Sequence, residues 1–143
     1  MTAPVFDLDA FLPYRVAMVS RRLSRIFEER YRDRFGISVA EWRVVAHLAQ
    51  SGAVSVREIV ARTDMEKSRV SRAAARLEAA GYVAKCTHSG DRRLVELTLT
   101  ARGRAMMTEL APIAEAFNAE IGTCLGADAD AFRRALDRLF ASA

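Results

Sequence analysis

Little in this chain offers reactive chemistry. Only two cysteines and two histidines occur among 143 residues. Cys86 and Cys124 lack C-x-x-C spacing, and His47 and His88 stand too far apart to read as metal ligands, so neither a metal nor another cofactor is expected. No Gly-rich phosphate loop is present, and no serine or cysteine nucleophile has an evident histidine and acid beside it. Asp128 and Asp130 form an acidic pair, but an N-cap and a first-turn residue have structural roles of their own. Catalysis is not expected. No apolar run approaches the ~18 residues that cross a bilayer, and Arg15, Arg21 and Arg22 interrupt the N-terminal apolar stretch. The first residues lack the basic and apolar blocks of a signal peptide, so a cytoplasmic location is expected. The two thiols are then read as reduced and packed, with a redox switch as the competing reading.

What is present is an ordinary globular composition, 51% apolar and 28% charged, in a length that suits one domain. The net charge is +4, and its placement matters more than its size. Arg62 to Arg93 holds eight basic residues (Arg62, Lys67, Arg69, Arg72, Arg76, Lys85, Arg92, Arg93) against four acidic ones (Asp64, Glu66, Glu78, Asp91), which accounts for the whole excess. A local basic patch on an otherwise neutral protein is the footprint expected for a polyanion. A merely solvated charged face would look the same on charge alone. The fold of the segment decides.

Apolar residues recur at Leu12, Val16, Val19, Leu23 and Ile26, which predicts a long amphipathic helix from Leu12 to Phe35 stopped by Gly36. Ser38-Val39-Ala40-Glu41 is a capping-box pattern and opens a second helix running to about Gln50, with Val39, Trp42, Val45 and Ala49 on one face. Ser55 to Glu58 is a second such box, opening a short helix in which Val56, Ile59 and Val60 turn inward. Thr63 to Glu66 reads as a third, opening a helix whose core stripe is Val70, Ala73, Ala74, Leu77 and Ala80, ended by Gly81. Two short helices with so brief a connection form a helix-turn-helix.

After Gly81 the period changes to two. Tyr82–Thr87 and Leu94–Leu99 read as strands joined by the polar turn 88–93, together a wing. Thr100 opens a last helical region with Met106, Leu110, Ile113, Phe117 and Ile121 on one stripe and a kink expected at Pro112. Asp128 is read as the cap of a final helix with Phe132, Ala135, Leu136 and Leu139 on its apolar face. The chain is thus mainly α with a small β-hairpin wing: one domain over 1–143, with a winged helix-turn-helix at 36–100. Residues 9–35 and 101–143 are helical flanks whose stripes exceed what so small a module can cover, so a second subunit is expected.

On the fourth helix Ser68, Arg69, Arg72 and Arg76 lie opposite the core stripe, with Lys67 and Ser71 at its margin. Arginine can bond guanine O6 and N7 together, and serine reaches a base edge or a phosphate. A surface helix laced with charge pairs fits less well, because only Glu66 and Glu78 face four cations. Double-stranded DNA is the expected partner.

At these residues the sequence resembles the MarR-type winged-helix regulators over essentially the whole chain. The most specific match is the run from Asp91 to Gly103: an Asp-x-Arg, an alternating strand, Leu99-Thr100, and a glycine three residues beyond that threonine. Glu41-Trp42-Arg43, Ser68 through Arg72, and Leu77 through Val83 support it. The resemblance implies a homodimer with interlocked terminal helices, recognition helices in successive major grooves of a pseudo-palindrome, and wings in the flanking minor grooves. By the same match Arg93 enters the minor groove, Asp91 orients it, and Arg92 meets a phosphate.

The resemblance also implies a repressor released by a small aromatic or phenolic effector. Its cleft would be lined by Tyr14, Arg15 and Met18 of the first helix, Trp42 and Arg43 of the second, and the start of the fifth. For each of these residues a plain core or surface role competes with ligand binding. Two alternatives stand beside this reading. One is a thiol-oxidation sensor acting through Cys86, against which the N-terminal helix carries no cysteine. The other is a winged-helix protein-assembly module without a specific DNA site.

Overall fold

The computed structural model describes Thr2, residues 5–87, Gly90 and residues 95–143. They form two compact units, Met1–Thr108 and Glu109–Ala143, and the division falls inside a helix.

In the first unit a short 3-10 turn at Leu8–Ala10 leads into α1 (Leu12–Phe35), with Pro13 in its first turn, where a missing amide costs nothing. Gly36 ends α1 at φ 65°, a left-handed conformation that glycine adopts without strain. α2 (Val39–Ser51) follows, and its capping box forms in full: the Glu41 amide donates to Ser38 Oγ at 3.2 Å and the Ser38 amide to Glu41 Oε2 at 3.0 Å. The remaining elements of the winged part are β1 (Val54–Ser55), α3 (Val56–Thr63), α4 (Lys67–Ala79), β2 (Val83–Thr87) and β3 (Val95–Leu99). The sheet is antiparallel in the order β1-β3-β2. β1 pairs Val54 with Leu97 and was not anticipated, because a two-residue strand is too short to show alternation.

The core lies between α2, α3, α4 and the sheet. Val44, Val45, Ile59, Val70, Ala74, Leu77 and Leu97 are wholly buried, each large side chain contributing roughly 1.5–3 kcal/mol. Three sequence expectations change here. α2 buries Ala40, Glu41, Val44, Val45 and Leu48 rather than the row through Val39, Trp42 and Ala49, because its contacts with α4 and β3 fix the inward face. The Thr63 capping box does not form. Thr63 is still in α3, where its hydroxyl donates to the Ile59 carbonyl at 2.6 Å and accepts from the Met65 amide at 3.3 Å. Asp64 then takes φ 55°, one of the few non-glycine conformations of that kind an Asp tolerates, and α4 begins only at Lys67. Ala80, read as core, is exposed.

α1 docks on α2 through an aromatic cluster. Phe27 meets Trp42 edge-on at 5.2 Å and Tyr31 at 4.9 Å. Tyr31 is fully buried, and its hydroxyl has no hydrogen-bond partner among the described residues; burial pushes the phenol well above its ordinary range. Val5, Phe6, Phe11, Leu12, Val16 and Val19 are all exposed.

The helix after the wing, α5 (Ala101–Leu125), starts in the first unit and runs unbroken through Pro112 into the second. In the second unit a 3-10 turn at Gly126–Asp128 precedes α6 (Ala129–Ser142). Asp128 flanks α6, yet its side chain makes no cap bond, since its backbone is already helical. No residue of α6 is buried, and Phe132, Leu139 and Phe140 are exposed. No helix of the described residues is long and apolar enough to cross a membrane.

Candidate nucleic-acid interface

α4 presents two chemically distinct sides. Val70, Ala73, Ala74 and Leu77 are buried, and the small alanines let α2 approach closely. Lys67, Ser68, Arg69, Ser71, Arg72 and Arg76, the six residues singled out on this helix, are all exposed. Among the described residues none of Lys67, Arg69, Arg72 and Arg76 has a carboxylate within ion-pair distance. Glu78, the acidic residue on the same helix, is engaged by Lys85 of β2 at 3.9 Å. A face held open in this way keeps its cations available for an external anion.

The exposed face is flanked by a recess on each side. One, of about 250 Å³, is lined by Arg69, Arg72 and Arg76 with Ser38 and Ala40 at the start of α2. The other, of about 370 Å³, runs between α4, the start of α3 and the sheet, and brings Lys67 and Ser71 together with Arg57, Lys85 and Ser55. Lys85 belongs to the basic segment read from the sequence, whereas Arg57 was not anticipated. Arg57 follows an N-cap serine in a short helix, and only the packing of α3 beside β3 and α4 sets it next to Lys67.

The hairpin is held in register from Val83 opposite Leu99 to Thr87 opposite Val95. Beyond Val83 the residues of β2 are exposed. Asp91, Arg92 and Arg93, expected at the wing tip, lie outside the described residues. The base of the hairpin is tied down by Thr100. Its amide donates to the Tyr82 carbonyl at 3.0 Å, its hydroxyl donates to the Gly81 carbonyl at 2.6 Å and accepts from the Gly103 amide at 3.1 Å. A side chain at Gly103 would overlap the Tyr82 carbonyl oxygen. This is the physical content of the Leu-Thr-x-x-Gly run: the threonine joins the end of α4 to the start of α5, and the glycine lets the two backbones touch. Arg102 completes the joint, 4.8 Å above the Tyr82 ring.

The five residues read as an effector cleft are distributed. Tyr14, Arg15 and Met18 line one recess of about 200 Å³ with Asp9, Val19 and Arg22. Trp42 is packed against Phe27, and Arg43 lines a separate recess between α1 and α2. Both cysteines are exposed, which corrects the packed positions expected for them; Cys86 sits on β2 opposite Glu96. The described residues include no group of three or more His, Cys, Asp or Glu side chains able to hold a metal ion.

With this geometry in hand, comparison with known proteins is informative. Residues 35–94 match the model of the MarR family. Over 78 residues the chain is 32% identical to the HTH-type transcriptional repressor MdtR of Bacillus subtilis (strain 168), a match covering 54% of this chain and 50% of that one. The chain thus spans about half the length of the curated relative it matches. Among solved structures, Bordetella bronchiseptica BpsR, described in a study of how its DNA binding is regulated by 6-hydroxynicotinic acid, superposes with a TM-score of 0.83 at 25% identity, covering 98% of this chain and 99% of that one. A mutant MarR from E. coli complexed with operator DNA shares the fold with a TM-score of 0.81 at 21% identity, covering 96% of this chain and 99% of that one. The winged part matches the model of the MarR family in sequence, and the fold along the chain is that of solved MarR regulators.

Proposed function

We propose that this chain is a homodimeric, sequence-specific DNA-binding transcriptional regulator that represses from a pseudo-palindromic operator. α4 is the recognition helix, with Lys67, Ser68, Arg69, Ser71, Arg72 and Arg76 toward the DNA, while in the wing Arg93 enters the minor groove, Asp91 orients it and Arg92 meets a phosphate. The observation that carries this reading is the α4 face itself, with four cations that meet no carboxylate among the described residues and a basic recess on either flank. Its relatives supply the context: MdtR is a repressor, and a mutant MarR has been crystallised on operator DNA. The exposed apolar residues of α1 and α6 supply surface for a second copy. A mobility-shift assay on duplex DNA from upstream of the protein's own gene tests the proposal. Arg72→Ala and Arg93→Ala each weaken specific binding by about 1–3 kcal/mol with the fold intact. Wild-type affinity in both, or equal affinity for any sequence, would sink it and favour an assembly module.

The effector in this reading is a small aromatic or phenolic acid. Support comes from the recess that Tyr14 and Arg15 both line, and from BpsR, whose DNA binding is regulated by 6-hydroxynicotinic acid. 6-Hydroxynicotinic acid is the first probe to try for release of the duplex.

A further inference from the structure

A third basic recess, of about 490 Å³, lies between α1 and the start of α2 and was no part of the sequence reading. Four arginines line it: Arg21 and Arg25 from α1, Arg43 from α2 and Arg69 from α4, with Ser20, Ser24 and Ser38 beside them. None of the four has an ion-pair partner among the described residues. The one carboxylate in the lining, Glu28, is engaged by Arg32 at 3.7 Å. Arg69 and Ser38 also line the recess that holds Arg72 and Arg76. The two recesses are therefore neighbours that share two lining residues, and the basic surface of α4 extends past Ser38 onto α1. On α1 this face points away from the apolar stripe. Arg21 and Arg25 each follow a stripe residue, Val19 and Leu23, by two positions, a little over half a turn of helix. A partner seated on the stripe leaves the arginines uncovered.

Resting on the DNA-binding reading above, we infer that Arg21, Arg25 and Arg43 form a phosphate clamp, extending the DNA contact from the recognition helix onto α1. The shape of the site favours a nucleic-acid backbone over a small anion. The recess is open and shares Arg69 and Ser38 with the recess beside Arg72 and Arg76, and its arginines come from three helices. Guanidiniums and hydroxyls suit phosphate oxygens, and such contacts bind without reading sequence.

The test therefore needs no operator. Fluorescence anisotropy of a labelled mixed-sequence duplex is followed across a salt series for the wild type, Arg21→Ala/Arg25→Ala, Arg21→Lys/Arg25→Lys, and Arg133→Ala/Arg134→Ala on α6. Each phosphate contact contributes about 0.9 to the slope of log affinity against log salt, so the first pair lowers the slope by roughly 1.8 per protomer and the affinity at low salt by about tenfold or more. The lysine pair retains the slope, as does the α6 pair, which removes the same charge elsewhere. Arg21 and Arg25 are exposed, so melting temperatures stay at the wild-type value, and Arg21→Gln/Arg25→Gln repeats the measurement on a second background. An unchanged slope in the alanine pair, with Arg72→Ala still weakening binding, overturns the clamp and leaves the DNA reading standing. A wild type that binds no duplex at any salt overturns both. An unchanged slope, with citrate raising the melting temperature of the wild type but not of the alanine pair, makes the recess a small-anion site and overturns the clamp.

Discussion

The winged part and the terminal helices handle apolar surface in opposite ways. Between Gly36 and Thr100 the large apolar side chains are mostly interior: Val44, Val45, Val54, Ile59, Val70, Leu77 and Leu97 have almost no exposure. In α1 only Phe27 and Tyr31 are buried, and in α6 nothing is. A module that covers its own core can stand alone, whereas a helix with a bare apolar stripe needs another surface. The difference teaches where self-sufficiency ends, and it separates changes that unfold the protein from changes that would act only on the proposed dimer.

The largest effect is expected at the joint between wing and α5. Gly103→Ala forces a methyl group into the Tyr82 carbonyl and to 3.1 Å from Leu99 Cδ2. Backbone cannot yield as a flexible side chain can, so the loss is about 3 kcal/mol or more, read as a drop in thermal midpoint. A midpoint within a degree or two of wild type would mean that the winged part is not closed there.

A smaller and different effect is expected from Val19→Glu on the exposed stripe of α1. It should raise the dimer dissociation constant by at least about tenfold, roughly 1.4 kcal/mol, in analytical ultracentrifugation. Far-UV helicity and the DNA-independent melting of the winged part should barely change. Unchanged association would place the contact between copies elsewhere.

The smallest effect is a pH dependence within the winged part. Partial burial and then the charge of Arg62 lower the His47 pKa below its ordinary value. The unfolded chain therefore binds a proton more readily than the folded one. Stability is unaffected above the unfolded pKa, falls as pH drops through it, and levels out below the folded pKa. Urea midpoints between pH 7 and pH 5 should show a decline that His47→Gln reduces. A wild-type profile identical to that of the variant would remove His47 from the account.

Much of this was legible in the sequence where a local rule applied. Gly36 stops α1 and Ser38 with Glu41 opens α2 because capping and left-handed geometry depend on residues a few positions apart. The stripe Val70, Ala73, Ala74 and Leu77 follows from helical period alone, and with it the exposed basic row. Local rules failed where a neighbour decided. Thr63 and Glu66 have capping-box spacing, yet α3 carries through Thr63 to bury Ile59 and seat Met65. On α2 the face read from the sequence runs through Val39, Trp42, Val45 and Ala49. Packing against α4 and β3 instead buries the one through Ala40, Val44 and Leu48, with Val45 common to both.

The sequence by itself therefore determined the helices, the two strands of the hairpin and the one-sided charge of α4, because period, caps and turn residues act over a few positions. Tertiary structure alone decided β1 and the placing of Arg21, Arg25 and Arg69 around one recess. Residues more than forty positions apart come together only through the docking of whole helices, and no local pattern in the chain encodes that.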